Sequence, residues 1–439
     1  TASGRLIART LKDNIDASAL TFVTEFHWSG KDVLSVDNLQ LHAGALTLDG
    51  RAALASVSRA MPHPFTASGT IKGADVLADA KGNAALGEIA FDMAALIDMR
   101  QNMAEISGLT LTSVAGKAQY AGAVALDGST FKGDVDASLS DLSALDGLTG
   151  QTLGGAATLR LSPFALSDAG NIAGDFTLRT TGVTTGDPAL DAFIGNVSAD
   201  GSLLALGKGG YALPSFAVTP QSGAYKLSGN VGASAKGEIT GEAHFEAREI
   251  ATLLPRGEAS GAVKADVTLT GTMDAPAGHL VATLDKGSIG GVATESLSAD
   301  IRAVPGGTGA LALRYKGAPG SAALDAQLTL PTGGGATLES IDGTVFGGKI
   351  TGHATVDKSA RVTSAIKGDH INLEPVGAFA GLPISGIGDL DFGMTPAGDK
   401  QAARLVFKAP RIDAGGVTFD RTELNIQMSD LFGTPVMDA

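Results

Sequence analysis

The chain lacks cysteine altogether, so disulfides, thiol nucleophiles and thiolate metal sites are all excluded over its 439 residues. It also lacks a run of Lys or Arg, and its formal net charge is −14. Both features argue against binding to nucleic acid or to an anionic membrane surface. No apolar stretch reaches the roughly 18 residues of a membrane helix. Four Tyr and one Trp are too few for the aromatic girdles of an outer-membrane barrel.

Small aliphatic side chains instead recur at every second position. The segment Val263-Lys264-Ala265-Asp266-Val267-Thr268-Leu269-Thr270 shows this pattern, and similar segments follow one another along the chain. Such alternation predicts β-strands that bury one face. The 60 glycines, about twice the usual share, suit short strands joined by tight turns. We therefore expect an all-β fold in which neighbouring strands pair as a meander.

Strand and turn signals alternate without a linker between them. The dipeptides Asp49-Gly50, Asp127-Gly128 and Asp342-Gly343 predict turns. One segment is ambiguous, because residues 85–104 fit both a strand face and a helical stripe, and we favour the strand. The predicted strands lie at about 21–28, 33–41, 44–50, 66–72, 107–113, 118–126, 131–138, 155–161, 172–180, 196–204, 224–230, 237–246, 260–270, 279–285, 295–303, 309–316, 322–330, 338–345, 349–357, 361–367, 387–394, 402–408 and 416–428.

An internal repeat emerges from three segments that begin near Asp141, Arg248 and His370. Each one continues from a strand end into about two helical turns with apolar anchors, then a glycine, then a new alternating strand. Helical pieces this short are unstable alone and must dock on the sheet. We expect residues 1–439 to be a fragment of one elongated, repetitive β-groove, with repeat units of about 1–140, 141–247, 248–369 and 370–439.

Motifs for chemistry are weak. The segment Gly343-Thr344-Val345-Phe346-Gly347-Gly348-Lys349-Ile350 resembles a phosphate loop, but Ile350 stands where a magnesium-binding hydroxyl is needed, and a strand pattern follows where a helix is needed. A turn is the better interpretation. The seven histidines are scattered, and most of them are expected to face solvent. We predict no catalytic residue, no metal site and no cofactor.

A continuous sheet with one apolar side can adopt two architectures. It can close on itself as successive sandwiches, or it can curve into an open trough whose lining is apolar. A sandwich core usually recruits Phe, Tyr and Trp for bulk, whereas Ala, Val, Leu, Ile and Gly dominate the inward positions here. This composition favours the trough. An exposed apolar trough needs an occupant that is itself apolar and mobile, and acyl chains satisfy both conditions.

The alternation predicts which side chains point into the trough. Charged neighbours at the intervening positions should face water: Lys264, Asp266, Arg302, Arg314, Asp325, Asp389, Asp391, Arg404 and Lys408. The predicted lining residues are Val263, Val267, Leu269, Leu280, Leu284, Leu297, Ile301, Leu311, Leu313, Leu328, Ile350, Val356, Leu390, Phe392, Leu405 and Phe407.

Three phrases carry a family resemblance: Leu269-Thr270-Gly271-Thr272-Met273-Asp274-Ala275-Pro276-Ala277-Gly278, Gly347-Gly348-Lys349-Ile350-Thr351-Gly352, and Leu373-Glu374-Pro375-Val376 with Leu382-Pro383-Ile384-Ser385-Gly386. They resemble the TamB branch of the AsmA superfamily of Gram-negative bacteria, most strongly from about residue 130 onward. The resemblance implies a long periplasmic β-trough with a hydrophobic interior, an inner-membrane anchor and a C-terminal region that meets the outer membrane. It also implies roles in phospholipid movement and, with the outer-membrane barrel TamA, in assembly of barrel proteins and autotransporters. It supplies no catalytic residues.

We therefore expect an all-β, elongated, curved, mostly antiparallel meandering sheet that forms a hydrophobic trough with a few short docked helices. Its expected function is that of a periplasmic conduit for phospholipid acyl chains between the inner and outer membranes. The chain does not begin with Met, and we expect the anchor and the region that binds the TamA-like partner to lie outside it. Two alternatives stay open: a chaperone that offers sheet edges to nascent outer-membrane strands, and an extracellular β-solenoid or sandwich adhesin.

Overall fold

The computed structural model describes residues 2–9, 20–29, 32–43, 46–72, 88–146, 152–167, 169–207, 209–254, 259–272, 275–289, 291–304, 307–318, 320–331, 334–359, 361–380, 383–398, 400–429 and 436–438. The chain divides into two compact units, unit 1 over Thr1–Gly223 and unit 2 over Ala224–Ala439. The boundary lies within the predicted repeat unit 141–247. The predicted residues 44–45, 85–87, 273–274 and 381–382 lie outside the described ranges.

Unit 1 is an antiparallel meander in which each strand pairs with the next one along the chain. Because the connections between consecutive strands are mostly short, each strand pairs most readily with the next one along the chain. Its strands are β1 (Ala2–Arg9), β2 (Leu20–Ser29), β3 (Val33–Ala43), β4 (Leu46–Ala55), β5 (His63–Lys72), β6 (Ile89–Asp98), β7 (Met103–Thr112), β8 (Gly116–Ala125), β9 (Phe131–Leu139), β10 (Gly154–Leu166), β11 (Ile172–Thr184), β12 (Val197–Ala205) and β13 (Gly210–Pro220).

Unit 2 repeats this topology, again with every pairing antiparallel and between consecutive strands. The prediction of an all-β, antiparallel meandering sheet with a few short helices is confirmed. The strands are β14 (Tyr225–Ser234), β15 (Ile239–Ala247), β16 (Ala259–Thr272), β17 (Ala275–Ile289), β18 (Val292–Ala303), β19 (Thr308–Gly317), β20 (Gly320–Thr329), β21 (Ala336–Val345), β22 (Gly348–Val356), β23 (Val362–Asn372), β24 (Ile384–Ala397), β25 (Lys400–Ala414), β26 (Val417–Ser429) and β27 (Val436–Asp438).

The ambiguous segment forms strands where it is described. Residues 89–98 are β6, and residues 103 and 104 begin β7. In β6, Phe91 lies opposite Gly69 of β5 and Leu111 of β7. The strand interpretation is confirmed because both edges of β6 find a partner, whereas an isolated helical stripe would leave those partners unpaired.

Two of the predicted turns are wrong. Asp49-Gly50 lies inside β4, and Asp342-Gly343 lies inside β21. Gly50 faces Gly69 across the strand pair, so the absence of two side chains allows a close approach of the backbones rather than a reversal. Asp127-Gly128 is a turn, with Gly128 at a φ of 74°. Sequence reasoning also missed β1, β13 and β27.

Short helical segments occupy the three predicted positions. These are the 3₁₀ helices η1 (Leu142–Leu145) and η2 (Ile250–Thr252), and the helix α2 (Leu373–Ala380). Only α2 has the predicted two turns, and η1 and η2 are shorter than predicted. A fourth segment, α1 (Pro188–Ile194), was not predicted. Each segment connects two adjacent strands, and the division into repeat units stays a prediction.

Capping by polar side chains explains where these segments begin. The Asp141 carboxylate accepts the backbone N–H of Ser143, and the Glu249 carboxylate accepts those of Ala251 and Gly261. The N–H of Gly261 lowers the pKa of Glu249 most, and that of Ala251 adds to it. Glu249 thereby ties η2 to the first residues of β16.

The described residues contain no large side chain that is fully buried. A sandwich of this length would contain many, because two inner faces interdigitate over their whole area. The absence of such side chains from the described ranges argues against a closed sandwich.

We expect Gly69→Ala to destabilise unit 1 by about 1–3 kcal/mol, the usual range for overpacking. A Cβ at Gly69 would lie 2.6 Å from the Gly50 Cα and 2.9 Å from the Phe91 Cε1, and it would collide with the Asp49 carbonyl oxygen. Gly108→Ala is the matched control, since a Cβ there meets nothing within 4 Å. Hydrogen exchange of β4, β5 and β6 measures the difference, and equal exchange in the two variants would contradict the prediction.

Candidate lipid-binding face

The strand register decides whether the predicted lining residues share one side of the sheet. Residues directly opposite each other in an antiparallel pair point to the same face. In β16, β17 and β18, Val267 lies opposite Leu280, which lies opposite Ile301. Likewise Val263 lies opposite Leu284, which lies opposite Leu297. These strands therefore present one common apolar side.

The same face continues through β19–β22. Ile301 pairs with Leu311, and Ile350 pairs with Gly343 of β21. The ladder shifts register between Leu338 and Ile341, where Ser340 has a φ of 54°. This bulge keeps apolar residues on the same side beyond the irregularity.

We call this side of unit 2 the apolar face. It is crossed by a row of paired residues without a single charged or polar side chain: Leu227, Phe245, Ala265, Ala282, Ala299, Leu313, Leu324, Gly343, Ile350, Gly368, Leu390, Phe407 and Leu424. The register places all of the predicted lining residues on the apolar face. That they bind lipid stays a prediction.

Unit 1 has an equivalent face that the sequence reasoning did not assign. Its row comprises Ala67, Met93, Leu109, Tyr120, Val135, Leu161, Phe176, Gly201 and Phe216. The signal that could have found these residues is the same period-two alternation, which runs through β5–β13 as it does through unit 2. In unit 2 the sequence reasoning also missed Leu227, Phe245, Leu324 and Leu424.

In β15 and the middle of β16 the apolar-face residues are less exposed than the residues between them, whereas in β17 and β18 most residues on both sides are half-buried. The predicted lining residues are half-buried or buried, apart from Val356 at the end of β22, which is 36% exposed. The charged residues predicted to face water are all exposed, which confirms that part of the prediction. Several of them pair across strands, as Arg314 does with Asp325 at 2.7 Å. Such exposed pairs contribute little to stability, so the alternation itself sets the register.

Aromatic rings on the apolar face lie over glycines of the neighbouring strands. A Cβ at Gly201 would come within 2.9 Å of the Phe176 Cε1. Phe91 lies over Gly69 in the same way. Rings placed over glycines shield from water the positions of the sheet that have no side chain. The apolar face therefore has no gap at these glycines, although rings and glycines alternate on it.

Helix α2 covers part of the apolar face in unit 2. Leu373 is buried against Phe407, and Leu390 packs beside them. The Asn372 side chain accepts the Glu374 N–H and fixes the start of the helix. Two of the predicted lining residues thus contact the chain's own helix, which narrows the open width at β24 and β25.

The phosphate-loop likeness is a hairpin turn. Phe346 and Gly347 both have positive φ, 52° and 86°, between the end of β21 and the start of β22. This is the geometry of a two-residue hairpin, with no helix to receive a phosphate. Within the described ranges, no group of His, Asp and Glu is arranged to hold a metal ion.

The histidines differ in exposure, and His279, whose Nε2 lies 2.8 Å from the Asp300 Oδ1, is half-buried. Among those whose side chains the structure describes, His27, His244, His353 and His370 are exposed, as expected for most of the seven. His63 is an exception, because it is only 4% exposed at the start of β5.

No helix in the described part of the chain is long and apolar enough to cross a membrane.

Comparison of the chain with protein-family profiles, with curated proteins and with solved structures gives no match.

Proposed function

We propose that this chain is a conduit for phospholipid, with acyl chains lying along the apolar faces and head groups remaining in water. The observation that supports this is the apolar row of unit 2, which crosses β14–β26 without a charged side chain. No fully buried large side chain accompanies it among the described residues. Outside the part that helix α2 covers at β24 and β25, an apolar surface of this extent is a hazard unless an apolar occupant covers it.

The driving force is local burial of hydrocarbon. Removing acyl surface from water is worth roughly 25 cal/mol per Å², or about 0.8 kcal/mol per methylene. Ala, Val, Leu, Ile and Phe recur from strand to strand, so this gain changes little when an acyl chain moves by one strand. A nearly level free-energy profile permits sliding in both directions, and the net direction must come from elsewhere.

The resemblance to the TamB branch supplies the cellular setting of the proposal. The conduit works in the periplasm, anchored in the inner membrane by a part of the parent protein outside this chain. A TamA-like outer-membrane barrel is the proposed protein partner, again through regions outside the chain. The proposal assigns no enzymatic step and no cofactor.

Native mass spectrometry of the purified chain tests the proposal. We expect phospholipid masses bound to the chain after purification from cells, and their loss after extraction with detergent. The extracted material should contain intact diacyl lipid when analysed separately. A chain that is purified without bound lipid and takes up none from vesicles would contradict the proposal.

A further inference from the structure

A cleft of about 520 Å³ opens on the side of unit 1 opposite the apolar face, across β8–β11. Two rows of paired residues form its floor. One row runs Lys117, Ser138, Thr158, Arg179, and the other runs Gln119, Asp136, Arg160, Thr177. Eight of its ten lining residues are polar or charged, the other two being Ala137 and Leu159, and no predicted lining residue of the apolar face belongs to it.

Three cations line this cleft in a chain whose formal net charge is −14. Lys117 and Arg179 form no ion pair with any described residue. Arg160 has only a distant partner, with its Nε 3.9 Å from the Asp136 Oδ1. By contrast, the Arg314 guanidinium of unit 2 donates to both carboxylate oxygens of Asp325 at 2.7 and 3.0 Å. The cleft thus holds positive charge that the protein leaves unbalanced.

The positions of the cations fit a compact anion. Arg160 and Arg179 are diagonal neighbours on β10 and β11, a spacing of roughly 7–8 Å between Cα atoms that two long side chains can bridge. Guanidinium groups present paired N–H donors that match phosphate oxygens. The hydroxyl of Thr158, between Arg179 and Ser138 in its row, supplies a further donor.

We propose that this cleft binds a phosphate group, held by Arg160 and Arg179, with Lys117 attracting further negative charge on the same ligand. Two acids limit what fits. Asp136 lies inside the cleft, and Asp200 beyond it accepts the Thr177 hydroxyl at 2.8 Å. A ligand that also carries hydroxyl groups satisfies Asp136, so a phosphorylated glycerol or sugar fits better than a bare anion. This site is independent of the conduit, since it lies on the other face.

Calorimetric titration of the full chain with pyrophosphate and with glycerol phosphate tests the site. We expect Arg160→Ala and Arg179→Ala each to raise the Kd about tenfold or more, the loss of one charge-assisted contact. Lys132→Ala is the matched control, because Lys132 is exposed on the same side of β9 but does not line the cleft. The control should leave the Kd unchanged.

Sedimentation with vesicles distinguishes the source of the phosphate. If a lipid head group is the ligand, phosphatidylglycerol vesicles bind the chain, phosphatidylcholine vesicles do not, and Arg179→Ala abolishes the difference. If only the soluble phosphates bind in an Arg179-dependent way, the ligand is a free phosphorylated solute. Absence of binding by every probe, or an equal loss in Lys132→Ala, overturns the proposal. Apolar-face variants should not change any of these results.

Discussion

Leu269→Asp is expected to slow phospholipid transfer about a hundredfold or more, whereas Thr270→Asp leaves the rate unchanged. Leu269 belongs to the apolar face, and Thr270 is the next residue on the opposite face. An acyl chain that passes an ionised carboxylate must strip water from it, at a cost of several kcal/mol. A barrier of about 3 kcal/mol reduces a rate by roughly a hundredfold.

Leu269 is a position at which an aspartate should not prevent folding. Leu269 lies opposite Gly241 on one side and Gly278 on the other, so an aspartate there displaces no large neighbour and stays hydrated when lipid is absent. Thr270 is exposed and lies opposite Ala277, so its aspartate meets no like charge across the strand pair. Both variants should therefore give the circular dichroism of the native sheet.

The measurement is transfer of a fluorescent phospholipid between donor and acceptor vesicles that the chain tethers through tags at its two ends. A conduit fails at a single blocked point, because every acyl chain must pass it. A chaperone that uses sheet edges would tolerate one charge on a face. Equal transfer rates for Leu269→Asp and Thr270→Asp would show that no acyl chain passes this position.

In unit 2 the alternation was sufficient to predict which side of the strands β16–β19 is apolar. Val267, Leu280 and Ile301 were assigned to one face from three separate segments, and the register joins them in one row. Period two is a strong signal because a slip by one residue would move every charged neighbour, such as Asp266, to the apolar side. The face of a strand follows from local sequence alone.

What the sequence could not predict depends on pairing between strands. Asp49-Gly50 has the composition of a turn, and only the presence of Gly69 opposite Gly50 explains why the strand continues. The cleft that we propose to bind phosphate could not be predicted from the sequence for the same reason. Arg160 and Arg179 lie on different strands, and they become neighbours only once β10 and β11 are in register. Helix α1 was missed because a helix this short leaves almost no periodic signal.

A photo-reactive amino acid at Leu311 should cross-link phospholipid in living cells, whereas the same residue at Ala310 should not. These adjacent positions point to opposite sides of β19. Leu311 lies between Ile301 and Ala326 on the apolar face, and Ala310 is exposed between Arg302 and Gln327. The two probes therefore share depth along the strand, expression level and chemistry, and they differ only in the face they sample.

The identity of the cross-linked partner discriminates the three functions that the sequence left open. A conduit yields diacyl lipid at Leu311, because the acyl chain is the occupant of the face. A chaperone for outer-membrane strands yields protein adducts, and an adhesin whose apolar side is closed within the parent protein yields neither. Since Leu311 is half-buried beside its neighbours, a benzophenone there projects over the row rather than into a packed core. Lipid adducts of equal yield at Leu311 and Ala310 would contradict the assignment of the apolar face as the path.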